Sequence, residues 1–575
     1  MSAIGGTGKS VSPKSSKTRG PYTARGQSCT NCRKRKIKCD GNKPECSQCM
    51  RSDSRAACEY RDTASSESEV QALEANIKIL QAKIRELEAA QEVGVNEVKL
   101  HQPYASLPPQ DPADDSGGEV RVGVYMDALD WTRLPQGDEH DIMFQPLLEI
   151  FLRYTRELGF FLNVQRFRES LLLPTGAPGR PSEGLLSSIS LLGFHLSGLS
   201  AAEPEEREHG YLSRALTHVA NTLSSTHPDR ILQTLQAEIL LSMYFFRSAR
   251  LLEGKYHLHA ALSIAFAARL HKLRSPRTDL TVLPMTSSSI LETITQLDAP
   301  SDQVAEGERI NGFWTIFATS NCWAAAADIP QDIMLESLGS TVDTPWPLDM
   351  PLYEQGFFSS GVVGQDTVSR FLNQEPPSPS PGDASWMAMY VKSSILIVRA
   401  ATLAAAYRPD AANAFAAQVA TLDGLLTSFK SNLPSFNDVG PSSEGFLFLY
   451  AAHLISNVAC ITLNRRFKDS FIDSAQKVLS AAEDSVNLLS EQADLASAHV
   501  NPIFAPLWMN VGQVLIQEFG RLRAQYPQWT SGEREKDLIE KIHRVFAYLR
   551  NVPVKSPLND YMLSKLEEIY QGILG

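Results

Sequence analysis

From about residue 141 onward, apolar residues recur at intervals of three and four, the spacing that lines one face of an α-helix. The pattern predicts helices over Leu147–Leu158, Tyr211–Leu223, Ile231–Phe246, Leu251–Leu273, Arg309–Ala327, Trp386–Ala406, Phe446–Phe467 and Phe471–Leu489. Each is rich in Ala and Leu and is bounded by Pro, Gly, Ser or Asp. Period-two alternation is scarce, so a mainly α fold is expected, with residues 140–575 forming a large all-helical region. Residues 445–463 carry no Lys, Arg, Asp or Glu and are marginally long enough to cross a bilayer. His453, Ser456 and Asn457 inside the stretch, and helical segments on both sides, favour a buried core helix, and no membrane partner is expected.

A different apolar pattern precedes the helical region. Val70, Leu73, Ile77, Leu80, Ile84 and Leu87 alternate by three and four over three heptads, with a β-branched residue at every a position and Leu at every d. That combination favours a parallel two-stranded coil, so residues 70–92 are expected to be a dimerisation helix. Lys83 at g can meet Glu88 at e of a partner while Glu69 and Glu74 repel, which permits a homodimer and leaves a heterodimer open. A coil this short needs support from DNA or from the large region. Residues 93–139 read as an acidic, Pro-rich linker. Residues 373–383, with four prolines in eleven positions, read as a flexible surface loop.

Composition changes the picture in one respect. A length of 575 residues suggests three or four folded units, and 43% hydrophobic with 21% charged residues is ordinary for globular chains. The net charge of -11 argues against nucleic acid until it is divided. Residues 1–61 carry +10 and the remainder carries -21, so a basic segment and an acidic body share one chain. Residues 1–28 are basic and polar and are expected to be disordered. They contain no apolar run of the kind a secretory signal needs.

The same segment holds six of the eight cysteines: Cys29, Cys32, Cys39, Cys46, Cys49 and Cys58. Without an oxidising compartment, reduced thiols and a metal fit better than disulfides. The spacing is C-x2-C-x6-C-x6-C-x2-C-x8-C, two similar halves that each begin with a C-x2-C chelate. One tetrahedral zinc needs four thiolates and two need eight ligand positions, which six cysteines supply only if two of them bridge. Five of the six residues between Cys32 and Cys39 are cations: Arg33, Lys34, Arg35, Lys36 and Lys38. On a short helix begun at the first chelate they would reach phosphates and the O6 and N7 acceptors of guanine. Metal storage or a nuclear-import signal would each account for half of this pattern, but not for both halves together.

The stretch CTNCRKRKIKCDGNKPECSQCMRSDSRAACEY resembles, over its whole length, the DNA-binding domain of fungal zinc binuclear cluster (Zn2Cys6) transcription factors. The likeness rests on the six cysteines, the basic run, Lys38-Cys39-Asp40, Pro44 and Cys58-Glu59-Tyr60. It implies a domain over residues 29–60 holding two zinc ions, with Cys29 and Cys46 bridging them and Pro44, typically cis, turning the loop between the halves. It also implies that Lys36, with Arg35 beside it, reads a CGG-like triplet while Arg33 and Lys38 hold phosphates. Residues 61–69 would link this head to the coil. Double-stranded DNA, a second copy of the chain and transcriptional coregulators are the implied partners, RNA polymerase II genes the implied targets, and the nucleus the implied location.

More loosely, residues 184–330 resemble the middle regulatory region of such factors, through Leu240–Leu273 and Glu308–Trp314 (ERINGFW). Relatives commonly read E-R-R-R-x-F-W there, and Ile310, Asn311 and Gly312 depart from that pattern. The body carries no H-E-x-x-H, no G-x-S-x-G and no carboxylate pair at catalytic spacing, so no enzymatic activity is expected. His195, His257, His259 and His271 read as core or surface residues, and Arg247, Arg250 and Glu253 as an ion-pair network at a helix junction. The alternative is a helical enzyme or ligand-binding protein tethered to chromatin by its head.

Overall fold

A computed structural model describes residues 28–51, 58, 139–198, 205–276, 297–326, 342–376, 381–407, 412–436, 445–467, 473–491, 500–525 and 532–574. Among these residues there are helices, turns and loops and no strand. The chain divides into two compact units, residues 1–122 and 123–575, where its length suggested three or four. The coil positions Val70 to Leu87, the linkers 61–69 and 93–138, and residues 377–380 of the Pro-rich loop lie outside the described residues.

In the first unit two short helices, α1 (Thr30–Lys34) and α2 (Ser47–Met50), are described. The second unit is helical throughout and is built around two large apolar cores. The first core is formed mainly by α3 (Glu139–Leu152), α4 (Val164–Leu171), α5 (Glu183–Leu196), α6 (Glu205–Thr222), α7 (Arg230–Arg247), α8 (Leu251–Ala267) and α9 (Gln303–Ala326), with the short α10 (Met350–Glu354) and α11 (Thr367–Leu372) closing over it. The second core is formed by α12 (Trp386–Ala406), α13 (Ala412–Asn432), α14 (Phe446–Arg465), α15 (Ser474–Glu491), α16 (Phe504–Gln525), α17 (Glu533–Arg550) and α18 (Pro557–Leu574).

Three helices make one body of these two cores. α7 places Phe245 in the first core and Phe246 in the second. α9 gives Phe313 and Phe317 to the first, Cys322 and Trp323 to the second, and α12 divides in the same way between Val391 and Leu396. Phe246 stacks on Trp323 with ring centroids 3.7 Å apart, so the helices that cross the boundary are also packed on one another there. α9 and α12 are buried on more than one face over much of their length, which lets each serve both cores.

Local sequence explains where elements begin and end. Asn163, Ser182 and Ser385 cap α4, α5 and α12 by accepting the backbone N–H three residues on. The helices expected over Ile231–Phe246, Trp386–Ala406 and Phe446–Phe467 are present nearly as read. Two others end earlier than expected. α3 ends at Leu152, and Gly159, with φ +70°, sits at the end of the turns that follow. The run over Leu251–Leu273 breaks after Ala267, where Arg269 takes φ +58° and a single 3-10 turn, Leu270–Lys272, follows. The Pro-rich stretch is not wholly free at its surface. Gly382 lies so close to the Trp346 carbonyl that a Cβ would be 2.6 Å from it. The helices α12 and α14 are long and apolar enough to cross a membrane by length and composition, but both pass through the packed cores.

Candidate metal centre and DNA-binding head

The two cysteine halves adopt the same local geometry. Cys29 and Cys46 are each extended (ψ 154° and 150°) and cap a helix of one turn, which carries Cys32 and Cys49 back over the first thiol. Cys32 N–H points at the Cys29 sulfur (3.4 Å), and Cys46 N–H at the Cys58 sulfur (3.3 Å). A C-x2-C chelate is therefore a helix N-cap followed by its third residue, and backbone N–H groups face the sulfurs where thiolate charge would sit.

α1 ends in a left-handed residue. Lys36 has φ +51°, its N–H donates to Arg33 O, and Ile37 N–H donates to Cys32 O. These are the paired bonds of a Schellman C-cap, with a lysine where glycine is usual. The reversal returns the chain to Cys39 and leaves Arg33, Lys34, Arg35, Lys36 and Lys38 all exposed. The Lys43–Pro44 bond is cis, as the resemblance implied.

Among the described residues of the head, those fully buried are Cys29, Cys32, Cys39 and Cys46, with Cys49 and Cys58 packed against them. The sulfurs form two groups of four, Cys29–Cys32–Cys39–Cys46 and Cys29–Cys46–Cys49–Cys58, each within 4.8 Å of one another. The two members common to both groups are Cys29 and Cys46. Neighbouring sulfurs are 3.5–3.9 Å apart. Zinc–sulfur bonds of about 2.3 Å at tetrahedral angles require edges of about 3.8 Å, so the thiols already have the spacing that the metal demands. Loss of hydration pushes the Cys32 thiol up, and the Cys49 thiol up to about 12, while the Cys46 N–H holds Cys58 down. Six thiols packed this closely become thiolates only where a cation compensates them, and the donor set fits two zinc ions.

Residues 27–67 match the fungal Zn(2)-Cys(6) binuclear cluster domain. The head binds two zinc ions and is a DNA-binding domain of the kind that fungal transcription factors carry. The matched residues cover the head alone and leave the resemblance of residues 184–330 without a counterpart. No curated protein and no solved structure matches the chain.

Two contacts around the cluster were not anticipated. Asp40 accepts from the Ser47 backbone N–H (3.1 Å) and from its hydroxyl, which joins the end of the first half to the start of the second. The Ser47 hydroxyl holds the Asp40 carboxyl below the usual carboxylate range. Asn31 donates to the Cys49 sulfur (3.6 Å), again from one half to the other. Both residues sit beside cysteines in the sequence, and that adjacency was the available signal.

Three of the four histidines singled out in the body are held by hydrogen bonds to neighbouring groups. His195 Nδ1 donates to Glu208 (2.8 Å), His257 Nδ1 to Glu238 (2.6 Å) and His259 Nδ1 to the Lys255 carbonyl (2.8 Å). Arg250 and Glu253 form the expected ion pair at 2.8 Å, but Arg247 does not join it. Arg247 is 2% exposed and donates to the carbonyls of Val500, Val554 and Lys555, where it fastens the C-terminal helices to α7. Its fork meets carbonyls that a helix pattern cannot reveal.

Proposed function

We propose that the chain is a nuclear, sequence-specific regulator of RNA polymerase II genes that binds CGG-like triplets as a dimer and is controlled through its helical body. What carries this reading is the placement of five exposed cations on and just beyond α1, beside a cluster that holds two zinc ions. Zinc fixes the frame, so the cations need no other core to be presented to a groove. Lys36, at the left-handed C-cap, and Arg35 face the bases, while Arg33 and Lys38 hold phosphates, which position the head without specifying sequence.

Dimerisation belongs to the heptads Val70, Leu73, Ile77, Leu80, Ile84 and Leu87, where two heads on one stalk double the phosphate contacts and set half-site spacing. A homodimer is the simplest form and a heterodimer remains compatible with the charges at e and g. The body, with the middle region 184–330 inside it, acts in regulation and not in catalysis, and meets transcriptional coregulators. Its charge, within a remainder of -21, keeps it off DNA and leaves contact to the head.

The test is binding of the purified chain to duplexes with one or two CGG triplets and to scrambled duplexes, in parallel with sedimentation. Tighter binding to paired triplets, lost together with the dimer in a Leu80→Asp, Ile84→Asp variant, is expected. Equal affinity for all duplexes, or an unchanged sedimentation coefficient in the variant, would overturn it.

A further inference from the structure

Among the described residues the body holds a cavity of about 840 Å³ among α9, α12, α14, the start of α16 and the turns between α3 and α4. Small-molecule sites usually span about 300–1,000 Å³, so this one has room for a ligand of ordinary size. Exposed Arg153, Arg156 and Gln165 stand at its rim, and buried side chains line its depth.

One wall is a polar stripe along the buried middle of α9. Asn311, Thr315 and Thr319 follow one another at four-residue intervals along α9, all nearly buried (5%, 9% and 4% exposed) and all lining the cavity. Asn311 Nδ2 donates to the Leu348 carbonyl (3.1 Å), which fixes the amide and leaves Oδ1 on the other side, buried and with no hydrogen-bond partner. Turning the amide over would set two oxygens against each other. A buried acceptor left in this state costs about 1–3 kcal/mol, an expense that a donor from a ligand would remove. The facing surface is apolar: Phe161, Met243, Leu348, Met387, Phe448 and Phe504.

Of the charged residues around the cavity, Arg153 and Arg156 stand at the exposed rim, and the four others are engaged with protein groups. Glu157 accepts from Val500 and Asn501 N–H, Glu354 from Asn163, Asp349 from the first N–H groups of α12, and Arg168 is held by both oxygens of Glu149. In the depth the ionisable group is Tyr390, which burial keeps protonated. A charged ligand there would lose its hydration without a counter-ion.

We propose that this cavity binds an uncharged, largely apolar small molecule carrying a hydroxyl or N–H group that donates to Asn311 Oδ1. The regulatory role above gives such binding its meaning, but the binding itself does not depend on that role. A ligand in this place touches helices of both cores at once, since α9 and α12 run from one to the other. Its occupancy therefore bears on how the two halves of the body are held together.

The test uses the purified full-length chain and three fluorescent probes. N-phenyl-1-naphthylamine is neutral, apolar and has one N–H. Its N-methyl analogue lacks the donor, and 8-anilinonaphthalene-1-sulfonate keeps the N–H but adds a charge. Saturable binding of the first at one site is expected, with both others weaker by about tenfold, as one hydrogen bond or one desolvated charge would give. In Asn311→Leu the first two probes should bind alike. Met387→Trp, which puts an indole into the cavity, should weaken binding of the first probe while the circular dichroism spectrum is unchanged. Equal binding of all three probes to the natural chain, or none, overturns the inference without any variant. DNA binding of the same preparation is measured alongside. Loss of DNA recognition with probe binding intact would count against the proposed function alone, and the reverse against the cavity alone.

Discussion

The sulfur atoms of Cys29 and Cys46 lie 3.8 Å apart, and each residue caps its own one-turn helix. The pair is common to both groups of four thiols, whereas Cys32 and Cys39 belong to one group and Cys49 and Cys58 to the other. Loss of a shared thiol should therefore cost both metals and loss of an unshared one should cost one. Native mass spectrometry should count two zinc ions on the natural chain, about one in Cys58→Ser and close to none in Cys29→Ser or Cys46→Ser. A strong chelator should unfold the head, because the buried residues among those described there are the cysteines themselves. A Cys29→Ser head that keeps both metals would refute bridging.

Lys36 carries two separable roles. Its left-handed backbone closes α1, and its exposed side chain extends from the cap. Lys36→Ala should cost about 1–3 kcal/mol on the preferred triplet site and much less on random DNA. Lys36→Gly should lose the same discrimination and yet retain zinc, since glycine adopts φ near +50° without strain. Equal losses on both DNAs would make Lys36 a phosphate contact only.

The head was legible from the sequence because metal chemistry fixes both residue type and spacing. The six cysteines and the cations between Cys32 and Cys39 needed no tertiary information. The helices Trp386–Ala406 and Phe446–Arg465 were legible for a similar reason, as long apolar runs with clear boundaries. What escaped was made by distant segments. Arg247 was read with its sequence neighbours Arg250 and Glu253, but its partners are more than 250 residues away. Asn311 and Gly312 registered as departures from a familiar motif. In three dimensions Gly312 makes room for the Phe161 ring, and Asn311 turns its amide into the cavity. The expectation of three or four units failed because α7, α9 and α12 are shared between cores, and domain counting by length cannot see shared helices.

Arg247 should be among the most sensitive positions of the body. Its guanidinium joins the carbonyls of Val500, Val554 and Lys555 to the end of α7, and Ser556 returns a hydrogen bond to the Arg247 carbonyl (2.9 Å). Arg247→Ala should destabilise the body by about 1–3 kcal/mol, the usual cost of leaving buried acceptors without their donor. Arg247→Lys should recover part of this, because an ammonium cannot reproduce the planar fork. Denaturant unfolding gives the magnitude. Hydrogen exchange should show protection lost first in residues 500–525 and 557–574, and uniform loss across both cores would argue against a local clasp.

Glu308 gives the body a pH dependence opposite in sign to that of a carboxylate in an ion pair. Its carboxyl accepts from the Asn163 N–H (2.8 Å), and burial raises its pKa from 4.5 to about 7. Between those values the folded chain holds a proton that the unfolded chain has released. Stability from this group is then complete below about pH 4.5 and is lost as pH rises through about 7. Glu308→Gln keeps an acceptor for Asn163 and removes the titration. The stability of the variant relative to the natural chain should therefore rise by about 2–3 kcal/mol between pH 5 and pH 8. Urea midpoints at the two pH values measure it directly. A difference between variant and natural chain that is the same at both would show that Glu308 is ionised throughout, and that the Asn163 N–H suffices to hold a buried carboxylate.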